Sequence, residues 1–556
     1  MMREAEVPVT FLPADRTVYV LAGTRLIEAA AEAGIILDSP CGGEGICGKC
    51  RMRLENPSLE AGRIEKIFFL PVEIGLGFRL ACQTEVRQPM TVFVPETSLV
   101  AAKHQILVRV EKTAVTSEDR LIGVEQGIAL AGQFAVAFDI GTTTLAAMLL
   151  DPNMTNEWAV VSRLNPQTRF GDDVISRILF ARENPQGLQI LHETIARAVN
   201  EMIGELCLQA GIERDEISVL TFSGNTTMQH LLCRVDTSSL GTMPFAPASR
   251  FGTSYSAGEL GLHVHPDGRA YVFPIIGGFV GGDTVAGILA TNLVNKPGPA
   301  LLVDIGTNGE IVLWAKGKLT AASTAAGPAF EGARISCGMQ GSAGAIEKVI
   351  VDGRLRINVI GNVPPAGLCG SGLIDVAAEL LRHKVLSPQG KLRTPDELPD
   401  DVLPDLIERV VLNEGKVAFM LASEEDSATG KAIVLTQRDF RELQLATGAI
   451  RSGIGILLKR AGLKAQDLQE VYIAGGFGNF IRRSNAQRIG LLPGQLEHHK
   501  IRYSGNTSLA GARLGALSLR ARGLAEEIAR RTEHVDLSTD PDFQELFAEA
   551  MIFPEE

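Results

Sequence analysis

FAVAFDIGTTT (134–144) and LLVDIGTNGE (301–310) are one phrase written twice: an apolar run, then Asp-Ile-Gly-Thr. The run reads as a strand buried on both faces, and the polar end as the turn of a β-hairpin. In such a turn the glycine and the N–H groups after it approach phosphate oxygens, while the aspartate holds Mg²⁺ or its water. A single turn of this kind is a weak signal, since Asp and Gly are common turn residues. Two of them, facing each other, make a split phosphate clamp. A third stretch, VYIAGGFGN (471–479), reads as a strand ending in Gly-Gly that underlies an adenosine. No GxxxxGK[ST] sequence is present, which excludes a P-loop. No GxGxxG follows a strand convincingly, which weakens a dinucleotide fold.

The duplication extends beyond the hairpins. LHETIARAVNEMIGELCLQ precedes AGIERDEISVLTFSGN (210–225), and LATGAIRSGIGILLKR precedes AGLKAQDLQEVYIAGG (461–476). Gly211 to Gly224 and Gly462 to Gly475 are each 13 positions apart. Each unit is helix, glycine stop, acidic turn, strand, glycine. Asp139 to Gly224 spans 85 positions and Asp304 to Gly475 spans 171, so the second copy carries an insertion of about 86 residues, expected within about 320–435.

Upstream, CGGEGICGKC (41–50) and LACQ (80–83) set Cys41, Cys47, Cys50 and Cys82 as Cys-x5-Cys-x2-Cys…Cys. Three close thiolates on a glycine-rich loop, with a fourth some thirty residues on, suit a [2Fe–2S] cluster. Zinc on the same four thiolates is the alternative; it usually takes paired Cys-x2-Cys knuckles, and one is present here. The other cysteines are scattered. Cys337 and Cys369 sit in glycine-rich turns, either as small buried residues or as a second cluster shared across a dimer; Cys207 and Cys233 read as core. His230 reads as a structural hydrogen bonder, and His498 and His499 as surface residues.

Composition frames these sites. The 556 residues are 45% hydrophobic and 21% charged, enough for several domains with a large core. A net charge of −12 argues against nucleic-acid binding. No run of about 18 apolar residues spans a membrane, and MMREAEVPVTF lacks a secretion-signal layout. Eight cysteines, four of them in one motif, fit a reducing cytoplasm. The expected division is a ferredoxin-like domain over 1–96, a linker over 97–133, a first ATPase half over 134–300, a second over 301–520 and a C-terminal tail over 521–556.

Residues 5–96 resemble the [2Fe–2S] ferredoxin β-grasp domain, which implies Cys41, Cys47, Cys50 and Cys82 as the four ligands of a one-electron carrier. Residues 134–520 resemble the acetate and sugar kinases, heat-shock ATPases and actin, a duplicated α/β fold of ribonuclease-H-like type. The resemblance implies Asp139, Gly141, Thr142 and Thr143 in the first phosphate loop. It implies Asp304, Gly306, Thr307 and Asn308 in the second, and Gly475 and Gly476 in the adenosine loop. It makes Asp304 the residue that positions the attacking water and Asp139 the Mg²⁺ ligand. Asp283 is either a further Mg²⁺-water ligand or the N-cap of the helix it opens; Glu310 either polarises water or is a strand-end carboxylate.

Taken whole, the chain resembles the reductive activators of corrinoid proteins. GNTTMQHLL, DIGTNGEIVL, AAGPAFEGARISCGM, GLCGSGLID and DPDFQELFAEAMIFP carry that likeness. It implies ATP-dependent transfer of one electron from the cluster to inactive Co(II), regenerating Co(I). The implied partners are a corrinoid protein and an upstream reductant, with the chain as a homodimer. A hydroxyl of the glycine-rich insertion, such as Ser323 or Thr324, is a candidate to approach the cobalt. An ATP-dependent donor to a non-corrinoid enzyme and a small-molecule kinase with a fused redox domain are the rival readings.

Overall fold

The computed structural model describes residues 6–33, 35, 37, 50–55, 60–95, 98, 134–151, 157–332, 334–475 and 481–555. Cys41, Cys47, Gly476 and nearly all of the expected linker lie outside the described residues.

The N-terminal domain is a five-stranded sheet. Its strands are β1 (Glu6–Leu12), β2 (Arg16–Leu21), β3 (Arg51–Leu54), β4 (Phe78–Leu80) and β5 (Met90–Phe93), in the order β2-β1-β5-β3-β4. Along β1 every second side chain is buried, so Val7, Val9 and Phe11 face the core. Helix α1 (Leu26–Glu32) covers that face through Leu26, Ala29 and Ala30.

The first ATPase half is a six-stranded sheet. It contains β6 (Phe134–Ile140), β7 (Thr144–Leu150), β8 (Glu157–Leu164), β9 (Ile217–Ser223), β10 (Thr253–Ser256) and β11 (Arg269–Val272). Their order is β8-β7-β6-β9-β11-β10. Its helices include α2 (Gly187–Ala210), α3 (Thr226–Leu232) and α4 (Gly282–Ala290). The second half has β12 (Ala300–Ile305), β13 (Gly309–Ala315) and β14 (Lys318–Thr324). Between β14 and helix α6 come two three-stranded sheets: β15 (Ala345–Asp352), β16 (Arg354–Val359) and β17 (Gly367–Leu368), then β18 (Val410–Asn413), β19 (Lys416–Ala422) and β20 (Ile433–Thr436). Helix α5 (Gly370–Arg382) lies between them in sequence. The half is completed by α6 (Gln437–Ala461), β21 (Glu470–Ala474), α7 (Arg483–Arg488), β22 (Ile501–Gly505), α8 (Thr507–Leu517), α9 (Leu519–Arg531), β23 (Thr532–His534) and α10 (Phe543–Ala550).

The second sheet runs β22-β21-β12-β13-β14-β23. Each half is therefore an antiparallel meander of three strands with two parallel strands added beside its first: β9 then β11, and β21 then β22. This is the duplication expected from the repeated phrase. The glycine stops are also equivalent. Gly211 ends α2 at φ 69° and Gly462 ends α6 at φ 64°, a left-handed conformation that costs glycine little.

One boundary changes. Residues 521–556 are not a tail: β23 pairs in parallel with β14, and α10 packs on α6. Val535 and Phe553 are buried in the core of the second half, and Ala525 and Ile528 in the apolar cluster shared by both halves.

The halves meet at α4 and α8. A methyl group on Gly511 would lie 2.2 Å from the carbonyl oxygen of Ala286, so the helices cross backbone to backbone. This crossing brings the start of α8 to the ends of β6 and β12. The N-terminal domain seats on the second half through ion pairs, Arg16–Glu347 at 3.7 Å and Glu28–Arg483 at 2.9 Å, and through an Arg16 Nη2 hydrogen bond to Asn362 Oδ1 at 2.6 Å.

Candidate active site between the two halves

Asp139 and Asp304 are each the penultimate residue of an otherwise buried strand. The apolar run pins the strand in the core and leaves the carboxylate at its carboxyl end, where an α/β sheet opens its crevice. At the first turn a Cβ on Gly141 would fall 2.4 Å from the Thr144 carbonyl oxygen, so the turn requires glycine. The turn is held from behind. Asn165 Nδ2 donates to Gly141 O (2.9 Å), Arg177 Nη2 to Thr142 O (2.6 Å) and Asn225 Nδ2 to the Thr142 hydroxyl (2.8 Å). Arg177 is wholly buried, and desolvation pulls its guanidinium down to about 10.

The turns of the two DIGT hairpins touch. The Thr143 and Thr307 hydroxyls are 3.3 Å apart, and Thr307 donates to Glu331 Oε1 at 2.9 Å. Glu331 also takes a hydrogen bond from Thr143; burial raises its carboxyl above the usual range, against these two hydroxyls. Gly306 and Asn308 form the turn of the second hairpin, with the Gly306 N–H on the Asn308 carbonyl at 3.0 Å.

Four acids converge on this cleft. Asp304 faces Glu310 across the hairpin register, and Asp283 lies in the first turn of α4. The N-cap of α4 is Gly281, so Asp283 is not the cap; its Oδ1 accepts from the Thr284 N–H at 2.7 Å. Burial, with repulsion from the neighbouring acids, raises Asp283 and Asp304 to about 7 and Glu310 well above its usual value. Burial also raises Asp139, opposed by Ser508 and Asn506: Asn506 Nδ2 donates to Asp139 Oδ2 at 2.8 Å and the Ser508 hydroxyl to Oδ1 at 2.8 Å. Thr507 reaches Asp304 Oδ2 at 3.5 Å. Among the described residues no group of three or more His, Cys, Asp or Glu is placed to chelate a metal directly.

Gly475 follows β21 at φ 106°, where a Cβ would meet the Ile305 carbonyl oxygen at 2.2 Å. The expected adenosine loop thus begins against the strand that carries Asp304.

Asn225, Glu331, Asn506, Thr507 and Ser508 were not read from the sequence as site residues. A signal was present: SGNT occurs at 223–226 and again at 504–507. Both asparagines cap a helix, accepting from Met228 N and Leu509 N, and both turn their amide to the first hairpin. Ser323 donates to Glu310 Oε1 at 3.4 Å, and Thr324, nearly inaccessible, donates to Gly309 O. Both belong to strand β14 of the clamp and not to the insertion.

In the N-terminal domain Cys50 and Cys82 are buried at adjoining chain segments, joined by Ala81 N–H to Cys50 O at 2.9 Å. Gln83 Nε2 lies 3.4 Å from Cys82 Sγ, a donor suited to a thiolate ligand. The buried Glu65 carboxylate accepts from Leu80 N and the Thr84 hydroxyl and so braces the Cys82 turn. These two thiols fit half of a four-thiolate set. Elsewhere burial raises the Cys337 thiol to about 12, and Cys369 Sγ bonds to Ile346 O at 3.4 Å. Cys207 is in the core and Cys233 packs against it. His230 is buried, bonded to Thr226 O and lowered by desolvation. His499 is exposed, but His498 is half-buried and pulled down to about 4 by burial and by Arg483.

Fold and cleft define an actin- and hexokinase-type ATPase carrying a [2Fe–2S] ferredoxin module. Comparison with known proteins agrees. Residues 9–87 match the 2Fe-2S iron-sulfur cluster binding domain, 134–296 the RACo middle region, and 298–556 the C-terminal domain of RACo, the ASKHA domain. The chain is 39% identical over 415 residues to the corrinoid activation enzyme RamQ of Eubacterium limosum, covering 74% of this chain and 69% of that protein. It is 27% identical over 448 residues to the [Co(II) methylated amine-specific corrinoid protein] reductase of Methanosarcina barkeri, covering 74% and 76%. A solved reductive activator for a corrinoid, iron-sulfur protein superposes with a TM-score of 0.70 at 32% identity, over 99% of both chains. The chain belongs to the family of reductive activators of corrinoid proteins. No described helix is long and apolar enough to cross a membrane.

Proposed function

We propose that this protein uses ATP to return a corrinoid protein from inactive Co(II) to Co(I), one electron at a time. The observation that carries the reading is the meeting of Thr143 and Thr307 beside Asp139 and Asp304, in a chain that also holds the ferredoxin cysteines. The [2Fe–2S] cluster, held by Cys41, Cys47, Cys50 and Cys82, supplies the one-electron couple. At about −400 mV for a plant-type cluster, each further ~59 mV that the cobalt couple lies below it costs a factor of ten. Nucleotide binding offsets such a gap when it favours a state that holds the partner differently.

The residues divide the ATP chemistry. Thr142, Thr143, Thr307 and Asn308 present hydroxyl, amide and backbone donors to the phosphates, and Gly141 and Gly306 let them approach. Asp139, whose ionised form Asn506 and Ser508 favour against burial, would hold Mg²⁺ or its water, with Asp283 beside it. Asp304, near 7, is matched to accept a proton from the attacking water, and Glu310 across the hairpin orients that water. Gly475 and Gly476 underlie the adenosine. A homodimer and a separate upstream reductant complete the proposal.

The test is anaerobic. The reduced protein is mixed with a Co(II) corrinoid protein and the visible spectrum followed with and without Mg-ATP. Co(I) that forms only with ATP supports the reading; equal Co(I) without ATP, or none across several corrinoid partners despite ATP turnover, overturns it.

A further inference from the structure

Two consecutive arginines follow the adenosine loop, and they face different ways. Arg482, 2% exposed, is spent within the ATPase: Nε on Asp375 (3.2 Å), Nη2 on Glu379 (3.0 Å) and on Val349 O (2.6 Å). Arg483 is also buried, but the carboxylates facing it, Glu28 and Glu32, both belong to α1 of the ferredoxin domain. Its Nη1 pairs with Glu28 Oε2 at 2.9 Å. Glu32, one turn further along α1, is buried among Lys348, Arg482 and Arg483.

The other side of Arg483 leads to the phosphate clamp. Nε donates to Ile501 O at 3.1 Å, and the guanidinium lies over the Tyr503 ring at 5.0 Å. The Tyr503 hydroxyl donates to Ile481 O, just before the arginine pair. Ile501 and Tyr503 belong to β22, whose next residues, Asn506 to Ser508, hold Asp139 and Asp304. One strand therefore has the nucleotide acids at its end and, along its length, the side chain that grips the ferredoxin domain.

We infer that Arg483 is a positioning residue through which occupancy of the nucleotide cleft sets the seat of the ferredoxin domain. The inference rests on the ATP reading above. Charge placed on Asp139 and Asp304 by metal and phosphates changes what Asn506, Thr507 and Ser508 must hold; β22 passes that change to Arg483, and Glu28 passes it to α1, the helix that precedes the Cys41 segment.

The test uses the full cluster-loaded chain. Amide hydrogen exchange of 26–33 is measured with and without a non-hydrolysable Mg-ATP analogue, beside calorimetric binding of that analogue. The wild type is expected to change exchange in this helix by at least about threefold. Arg483→Gln and Glu28→Gln should lose the change while binding the analogue as wild type does, and Arg483→Lys should restore part of it. Glu28 is one-third exposed, so its amide variant reads the same link with little demand on the core. A response that survives in both amide variants, or a wild type that binds the analogue without any change in 26–33, overturns the inference. A wild type that does not bind the analogue overturns the ATP reading itself, and the inference with it.

Discussion

The hydroxyls of Thr143 and Thr307, 164 positions apart in the chain, lie 3.3 Å from each other, and both hydrogen-bond to Glu331. The two halves thus touch at the groups proposed to present donors to a nucleotide. On that proposal Glu331 takes hydrogen bonds that phosphate oxygens would otherwise receive. Thr307→Ala is expected to weaken Mg-ATP binding about ten- to hundredfold, the loss of one hydrogen bond to a charged acceptor. Glu331→Gln should tighten it, because a carboxylate beside phosphates is repulsive. Calorimetry on both variants checks the pair of opposite signs.

Asp304→Asn is expected to lower ATP hydrolysis about 10²- to 10⁴-fold with nucleotide binding retained, the range for loss of a general base. Asp139→Asn should instead raise the Mg²⁺ concentration needed for half-maximal turnover. Hydrolysis rates over a Mg²⁺ titration separate the two roles.

Asp283 and Asp304 lie at about 7 in the folded protein, above their ordinary 3.8. Between those values the folded chain binds more protons than the unfolded chain, so stability falls as pH rises through that window. Both side chains keep some contact with solvent in the cleft, so the loss is about 1–2 kcal/mol in place of the full shift. The thermal midpoint without nucleotide should drop from pH 5 to 7.5, and the stabilisation by Mg-ATP should grow over the same range as the acids ionise to receive the metal. Asp304→Asn should flatten both trends.

Cys82→Ser is expected to remove the iron and the visible absorption of the purified protein, as is Cys50→Ser. Cys369→Ser should leave iron content unchanged, since that thiol is buried and bonded to Ile346 O and Ser371. Iron assay and absorption spectra decide it.

The repeated DIGT phrase was legible as an apolar strand run closed by a polar turn. In its first copy Gly141 stands where a Cβ would strike a carbonyl oxygen, as does Gly475 after β21, whereas a Cβ on Gly306 would meet Asn308 O at an ordinary 3.6 Å. Asp283 was legible only as a pair of alternatives, cap or metal-water ligand; the position of Gly281 excluded the first. The stretch 521–556 looked like a tail because β23 is three residues long and its partner, β14, lies some 200 positions earlier.

By itself the sequence determined the duplicated α/β fold, the four-cysteine motif and the two DIGT hairpins. Each depends on a local pattern: apolar periodicity, glycine at a forced turn, thiol spacing. Only the tertiary structure brought Asn506 and Ser508 onto Asp139, Glu331 onto Thr143 and Thr307, and Arg483 onto Glu28. Apart from Glu331 with Thr307, which lies within the second half, those pairings join residues from separate halves or domains. They are set by the backbone crossing at Gly511 and Ala286 and by the seating of α1, which no local pattern encodes.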